Sequence, residues 1–136
     1  MSRECQIVVL SRYREQFRIL RKKLADRILI PAKMVDAFSL LSYSTVFVGA
    51  GGTMTAEAAL LGVPTISCYP GEPTLVERYL ISKRLVTRLH DASRTADLVA
   101  KILEDSEIRA ERERKANVLL RTMEDPVRVI LRHVLS

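Results

Sequence analysis

The sequence predicts an α/β domain, a Rossmann-like parallel sheet with helices on both faces. Three observations predict it. Short apolar runs alternate with stretches of helical periodicity. The runs are apolar throughout rather than at every second residue, as in strands buried on both sides. A three-glycine turn joins one such run directly to a helix. At 136 residues and 48% apolar content, the chain is expected to form one domain, residues 1–136, with a core of its own.

The elements follow in order. Residues 6–11 (Gln-Ile-Val-Val-Leu-Ser) read as a buried strand, and residues 13–25 as a one-sided helix with Phe17, Leu20 and Leu24 at helical spacing. Ile28 to Ile30 makes a second strand, stopped by Pro31, and residues 34–42 a helix with Val35, Phe38, Leu40 and Leu41 inward. Residues 45–48 are the third strand and residues 53–61 a helix closed by Gly62 and Pro64, the usual C-terminal stop. The fourth strand is 65–69; past Pro70-Gly71-Glu72-Pro73 come a helix over 74–83 and a strand over 85–88. A long helix is predicted over 95–121 with a break near Asp105-Ser106. Asp125-Pro126 ends it, and Val127 to Leu135 forms a last amphipathic helix.

Composition narrows the function classes. No apolar run is long enough to span a membrane, and the N-terminus does not read as a signal peptide. Cys5 and Cys68 are too few and too far apart for a zinc site or a disulfide framework, so Cys68 is expected as a small core residue and the setting as cytoplasmic. The net charge of +6 lies wholly in residues 1–35, which hold nine Lys/Arg against three acids. Arg14, Arg18, Arg21, Lys22 and Lys23 read first as a solvated helix face. They also suit a polyanionic ligand or, more weakly, an anionic membrane surface. Nucleic acid fits least, because the chain is only 5% aromatic and carries no helix-turn-helix, zinc finger or aromatic strand motif.

The chemistry-bearing segment is Val46 to Ser67. A strand enters Gly49-Ala50-Gly51-Gly52, and the helix opens at Thr53. Helix dipole and unpaired N–H groups point at a ligand there, and glycines let the backbone come close, so the turn can hold a phosphate. It is not the dinucleotide pattern G-x-G-x-x-G, because Met54 stands in the last glycine's place, nor a P-loop, because no Gly-Lys-Ser or Gly-Lys-Thr follows. A tight strand-to-helix turn needing small residues is the plain structural alternative. Glu57 lies one turn into the helix among Ala56, Ala58, Ala59, Leu60 and Leu61, placed to reach past a diphosphate toward hydroxyls such as those of a ribose. It is not a capping-box partner, since Ala56 occupies that place. Ser11 to Phe17 joins the first strand to its helix at the same sheet edge, where Arg12 or Arg14 can neutralise a diphosphate. The loop Gly71 to Thr74 belongs to that edge as well. No metal constellation, catalytic serine elbow or Cys/His pair is present in the sequence, and no cofactor is expected.

On Gly49-Ala-Gly-Gly-Thr-Met-Thr-Ala-Glu-Ala-Ala-Leu-Leu-Gly-Val-Pro64 and Ser11-Arg-Tyr-Arg-Glu-Gln16, the chain resembles the C-terminal lobe of the glycosyltransferase-B (GT-B) superfamily. The nearest likeness is to a glycosyltransferase-like, largely archaeal family known as domain of unknown function 354. It is more distantly similar to UDP-N-acetylglucosamine 2-epimerases, with Arg12 standing where that family has His. The resemblance implies a nucleotide-sugar ligand, a UDP-sugar by expectation, bound by the donor half of a glycosyltransferase or epimerase-like enzyme. By the same resemblance Gly51, Gly52, Thr53 and Met54 offer amides to the diphosphate and Glu57 accepts from the ribose. Pro31, Ala32 and Lys33 hold the base by main-chain contacts, and Arg12 and Gln16 face sugar or phosphates. GT-B enzymes have two lobes and this chain has the length of one. The implied partner is an N-terminal lobe in cis or in trans, with residues 126–136 as the docking segment, and a homodimer is the other expectation. The alternatives are a non-catalytic module of the same fold and a basic adaptor for an anionic surface.

Overall fold

The computed structural model describes residues 5–11, 13–24 and 26–135. The chain divides into two compact units, Met1–Asp36 and Ala37–Ser136.

In the first unit, β1 (Ile7–Val8) pairs in parallel with β2 (Ile28–Leu29), with Ile7 opposite Ile28 and Val8 opposite Leu29. A further bond from Val9 N to Leu29 O, 2.9 Å, closes the ladder. Between them runs α1 (Arg14–Leu24), whose last turn carries Arg21, Lys22 and Lys23 against the negative end of the helix dipole. The Arg21 guanidinium lies 5.8 Å from the Phe17 ring centre, so part of the basic face packs on the apolar one. The strand expected over 6–11 is ladder-paired at two residues only, and Ile7 and Leu29 stay about half exposed.

The second unit holds the larger sheet. β3 (Phe47–Gly49), β4 (Thr65–Ser67) and β5 (Val86–Arg88) are all parallel and lie in consecutive order. Its helices are α2 (Ala37–Tyr43), α3 (Thr53–Leu60), α4 (Leu75–Ser82), α5 (Ala92–Glu104), α6 (Ser106–Thr122) and α7 (Pro126–Val134). The predicted parallel α/β construction therefore holds, hydrogen-bonded as a two-stranded and a three-stranded ladder.

Helix α3 is the pivot of this unit, in contact with α2, α4, α6, β3 and β4. Small side chains make that possible: Ala58 and Ala59 are fully buried. Ala59 joins Leu80, Leu85, Val86, Ala116 and Leu119 in one core cluster, while Ala58 joins Leu41 and Val63 in another. Helices α3 and α4 end alike. Gly62 N donates to Ala59 O and Val63 N to Ala58 O, at 3.1 and 3.0 Å; Arg84 N donates to Ile81 O and Leu85 N to Leu80 O, at 2.9 and 3.0 Å. Both are Schellman endings, with the turning residue at positive φ, and each delivers the chain straight into the next strand.

Several expectations change. The helix expected over 34–42 starts at Ala37, and only Leu41 of the four apolar residues is fully inward; Val35 and Phe38 are exposed. Phe47 packs into the place at the β3 side of that core. The helix expected over 95–121 divides at the expected break, though its first half starts earlier, at Ala92. Asp105 lies in extended backbone, closes α5 and caps α6 by accepting from Glu107 N at 3.0 Å. The stretch Glu104 to Lys115, which mixes both signs of charge at short spacing, is anchored through Arg109. Its guanidinium donates to Ser44 O at 2.6 Å and Ser42 O at 3.2 Å, satisfying the C-terminal carbonyls of α2 while pairing with Glu113. Cys68 follows β4, half-buried, with its sulfur 3.9 Å from Thr95 Oγ1. Helix α7 forms as predicted, but Val127, Ile130, Leu131 and Val134 are all exposed. Among the described residues no helix is long and apolar enough to cross a membrane.

Candidate functional site

The carboxyl ends of β3, β4 and β5 form one row, with Gly49 opposite Ser67 and Ser67 opposite Arg88. The glycine turn leaves this row at β3. Gly51 and Gly52 have φ of 79° and 83°, a region that side-chain-bearing residues avoid. A Cβ on Gly51 would meet Glu77 Oε2 at 3.4 Å and Tyr69 Cβ at 3.5 Å, whereas one on Gly52 would meet nothing within 4 Å. Gly51 is thus the packed side of the turn and Gly52 its open side.

Helix α3 begins immediately after, with Gly52 as its N-cap and no side chain capping it. The contrast within the unit is clear. Thr74 caps α4, Asp91 caps α5, Asp105 caps α6 and Asp125 caps α7, each accepting a backbone N–H through its side chain. At α3 the leading N–H groups of Thr53 and Met54 have no intrahelical acceptor, so the positive end of the helix faces the open side of the turn. Thr53 is exposed. The Met54 side chain packs with Leu41, Ala58 and Val63, which leaves its amide, not its thioether, for a ligand. Glu57 is exposed, and its carboxylate meets no hydrogen-bonding or ionic partner among the described residues. Gly51, Gly52, Thr53, Met54 and Glu57 are therefore brought together on one turn and the first helical turns after it.

The remaining predicted residues belong to the first unit. Because β1 and β2 are parallel, the segments leaving their carboxyl ends share one edge. Gln16 sits in the first turn of α1, exposed; Pro31 is half-buried and Ala32 and Lys33 are exposed after β2. Arg12 lies outside the described residues.

Two features escaped sequence reasoning, the Ser67–Glu77 pair and Arg88. Glu77 is only 5% exposed, yet charged, in the first turn of α4. Ser67 Oγ, fully buried at the end of β4, donates to Glu77 Oε1 over 2.5 Å, while Oε2 faces the Gly51 side of the turn. A signal was present: Glu77 shares helical spacing with Leu80 and Ile81, which pack in the core, whereas Leu75 and Val76 point outward. The run Thr74-Leu75-Val76-Glu77 also has capping-box spacing, which hides the carboxylate's real partner. The second is Arg88. Its guanidinium donates to Tyr69 O at 2.9 Å and to Gly71 O, pinning the loop between β4 and α4. The Gly71 to Thr74 loop is thus ordered from beneath by backbone contacts, and its Glu72 pairs with Arg78 at 3.4 Å in solvent.

Together these features define a parallel α/β domain with an uncapped helix N-terminus at the carboxyl edge of its sheet. The chain belongs to the family described as "Protein of unknown function (DUF354)", whose model matches residues 2–136. Over 88 residues, 65% of this chain, it is 44% identical to the uncharacterized protein MJ0665 of Methanocaldococcus jannaschii. That stretch is 25% of the archaeal protein, so the chain spans about a quarter of the curated relative it matches. No solved structure matches it. Among the described residues, no group of three or more His, Cys, Asp and Glu side chains is placed to hold a metal ion.

Proposed function

We propose that the chain binds a nucleotide sugar, with UDP as the nucleotide, as the donor-binding part of a GT-B-type glycosyltransferase or epimerase-like enzyme. The observation that carries this is the uncapped start of α3 behind Gly51 and Gly52, with the unpartnered Glu57 carboxylate one turn further on. In this reading the amides from Gly51 to Met54 take the diphosphate and Glu57 accepts from ribose hydroxyls. Charge on the leaving diphosphate is then stabilised by fixed backbone dipoles, an arrangement that needs no reorganisation during reaction. The acceptor lobe is supplied by another part of a longer protein or by a partner chain. The quarter-length match to the archaeal relative supports that division.

Calorimetric titration with UDP, then UDP-N-acetylglucosamine, with AMP as the control, tests the reading. UDP is expected to bind and AMP not. Glu57→Ala is expected to weaken UDP about tenfold or more, the worth of hydrogen bonds to a charged acceptor. Because Glu57 is exposed and unpartnered, its removal should leave the melting temperature in place. A folded chain that ignores UDP, or binds it equally well as Glu57→Ala, refutes the assignment.

A further inference from the structure

A second polar feature lies at the opposite edge of the sheet. The starts of β4 and β5 and the helices α5 and α6 enclose a cleft of about 200 Å³. Its walls mix polar side chains, Thr65 and Thr87 among them, with aliphatic carbon from Ile66, Leu98, Ile102 and Ile108. Three charged groups border it: Lys101 on α5, and Glu111 and Arg112 on α6. Glu111 is engaged elsewhere. Lys115, one turn on, bonds to it and holds its carboxyl below the ordinary range.

Arg112 is the unusual member. It is half-buried, its Nη1 is out of solvent, and its guanidinium has no hydrogen bond or ion pair among the described residues. Arg109, one turn earlier, shows the contrast by using its donors on Ser42, Ser44 and Glu113. Burial lowers the proton affinity of the Arg112 guanidinium, and Glu111 opposes that shift. An arginine nevertheless stays protonated in a protein, so beside the Glu111 charge its Nη1 donors lie out of solvent with no acceptor. Buried donors of this kind ordinarily meet an acceptor.

We propose that this cleft is a binding site for a small organic anion, a carboxylate on a short aliphatic body. The carboxylate pairs with Arg112 and, at the mouth, with Lys101; the body packs against Leu98 and Ile108. The site uses the amino ends of the strands, while the glycine turn uses their carboxyl ends. It therefore stands or falls separately from nucleotide binding.

The test is an NMR titration of the isotopically labelled chain with butyrate, with acetate and inorganic phosphate for comparison. Saturable shifts are expected at the Leu98, Ile102 and Ile108 methyls. Butyrate should bind about tenfold tighter than acetate, from two more buried methylenes. Arg112→Gln should weaken butyrate about tenfold or more by removing a charge-assisted fork. Lys101→Gln, at an exposed position, should weaken it by a smaller factor and keeps the test open if the Arg112 variant fails to fold. Shifts that never saturate, butyrate no tighter than acetate or phosphate, indifference to both substitutions, or shifts confined to Gly51–Thr55 would each overturn the assignment.

Discussion

Replacing Gly62 with alanine is expected to destabilise the chain by about 3 kcal/mol, through two independent effects. Its φ of 76° lies in the left-handed region, where a side chain costs about 1 kcal/mol or more. A Cβ there would also sit 2.6 Å from Glu113 Cα and 3.0 Å from Glu113 N. That neighbour is the backbone of α6, which cannot rotate away as a side chain does, and overpacking of this sort adds about 1–3 kcal/mol. Urea unfolding of the variant checks this. A loss of about 1 kcal/mol, the conformational part alone, would show that α6 does not approach Gly62 as closely as the structure has it.

Ser67→Ala is the second large effect, and it reaches the candidate site. Removing the hydroxyl leaves the Glu77 carboxylate, 5% exposed, without its hydrogen-bond donor. An orphaned buried charge of this kind costs about 2–3 kcal/mol. Because Glu77 Oε2 faces Gly51, a carboxylate seeking new partners should also disturb the turn and weaken UDP. The double variant Ser67→Ala, Glu77→Leu supplies the check. Replacing both partners by apolar groups is far less harmful than orphaning one, so it should recover a large part of the lost stability. A double variant as unstable as the sum of its single changes would mean that the two side chains are not coupled.

How much of this was readable in advance depends on the kind of information each residue carries. The strand-turn-helix from Phe47 to Leu60 was legible because it is local: glycines, a helix start and a Gly62-Pro64 stop within a short stretch. The Asp105 break was legible for the same reason, as a capping side chain between two periodic segments. What was not legible depends on neighbours distant in sequence. Val35 and Phe38 carry the right periodicity, yet Phe47 from β3 joins Leu41 in that core instead. Arg109 looks like one charge among many until the carbonyls of Ser42 and Ser44, more than sixty residues away, are brought to it. Glu77 is similar, since nothing around it in the chain announces Ser67. Of the candidate site, the Gly51 to Glu57 group was recoverable from spacing, as was the inward face of Glu77, whereas its partner Ser67 and the anchoring by Arg88 were not.

The placement of β4 between β3 and β5 has a consequence for motion. Thr65, Ile66 and Ser67 are all buried and bonded to strands on both sides, so their amides are released only when the sheet itself comes apart. The leading amides of α3 open to solvent without disturbing any ladder. Hydrogen–deuterium exchange should therefore find the slowest and some of the fastest protons of this unit within about fifteen residues of one another. Equal protection at Ile66 and Thr53 would contradict that picture. A rigid strand and a labile turn, joined by one short helix, let the chain keep its fold constant while its most exposed amides stay free to change partners.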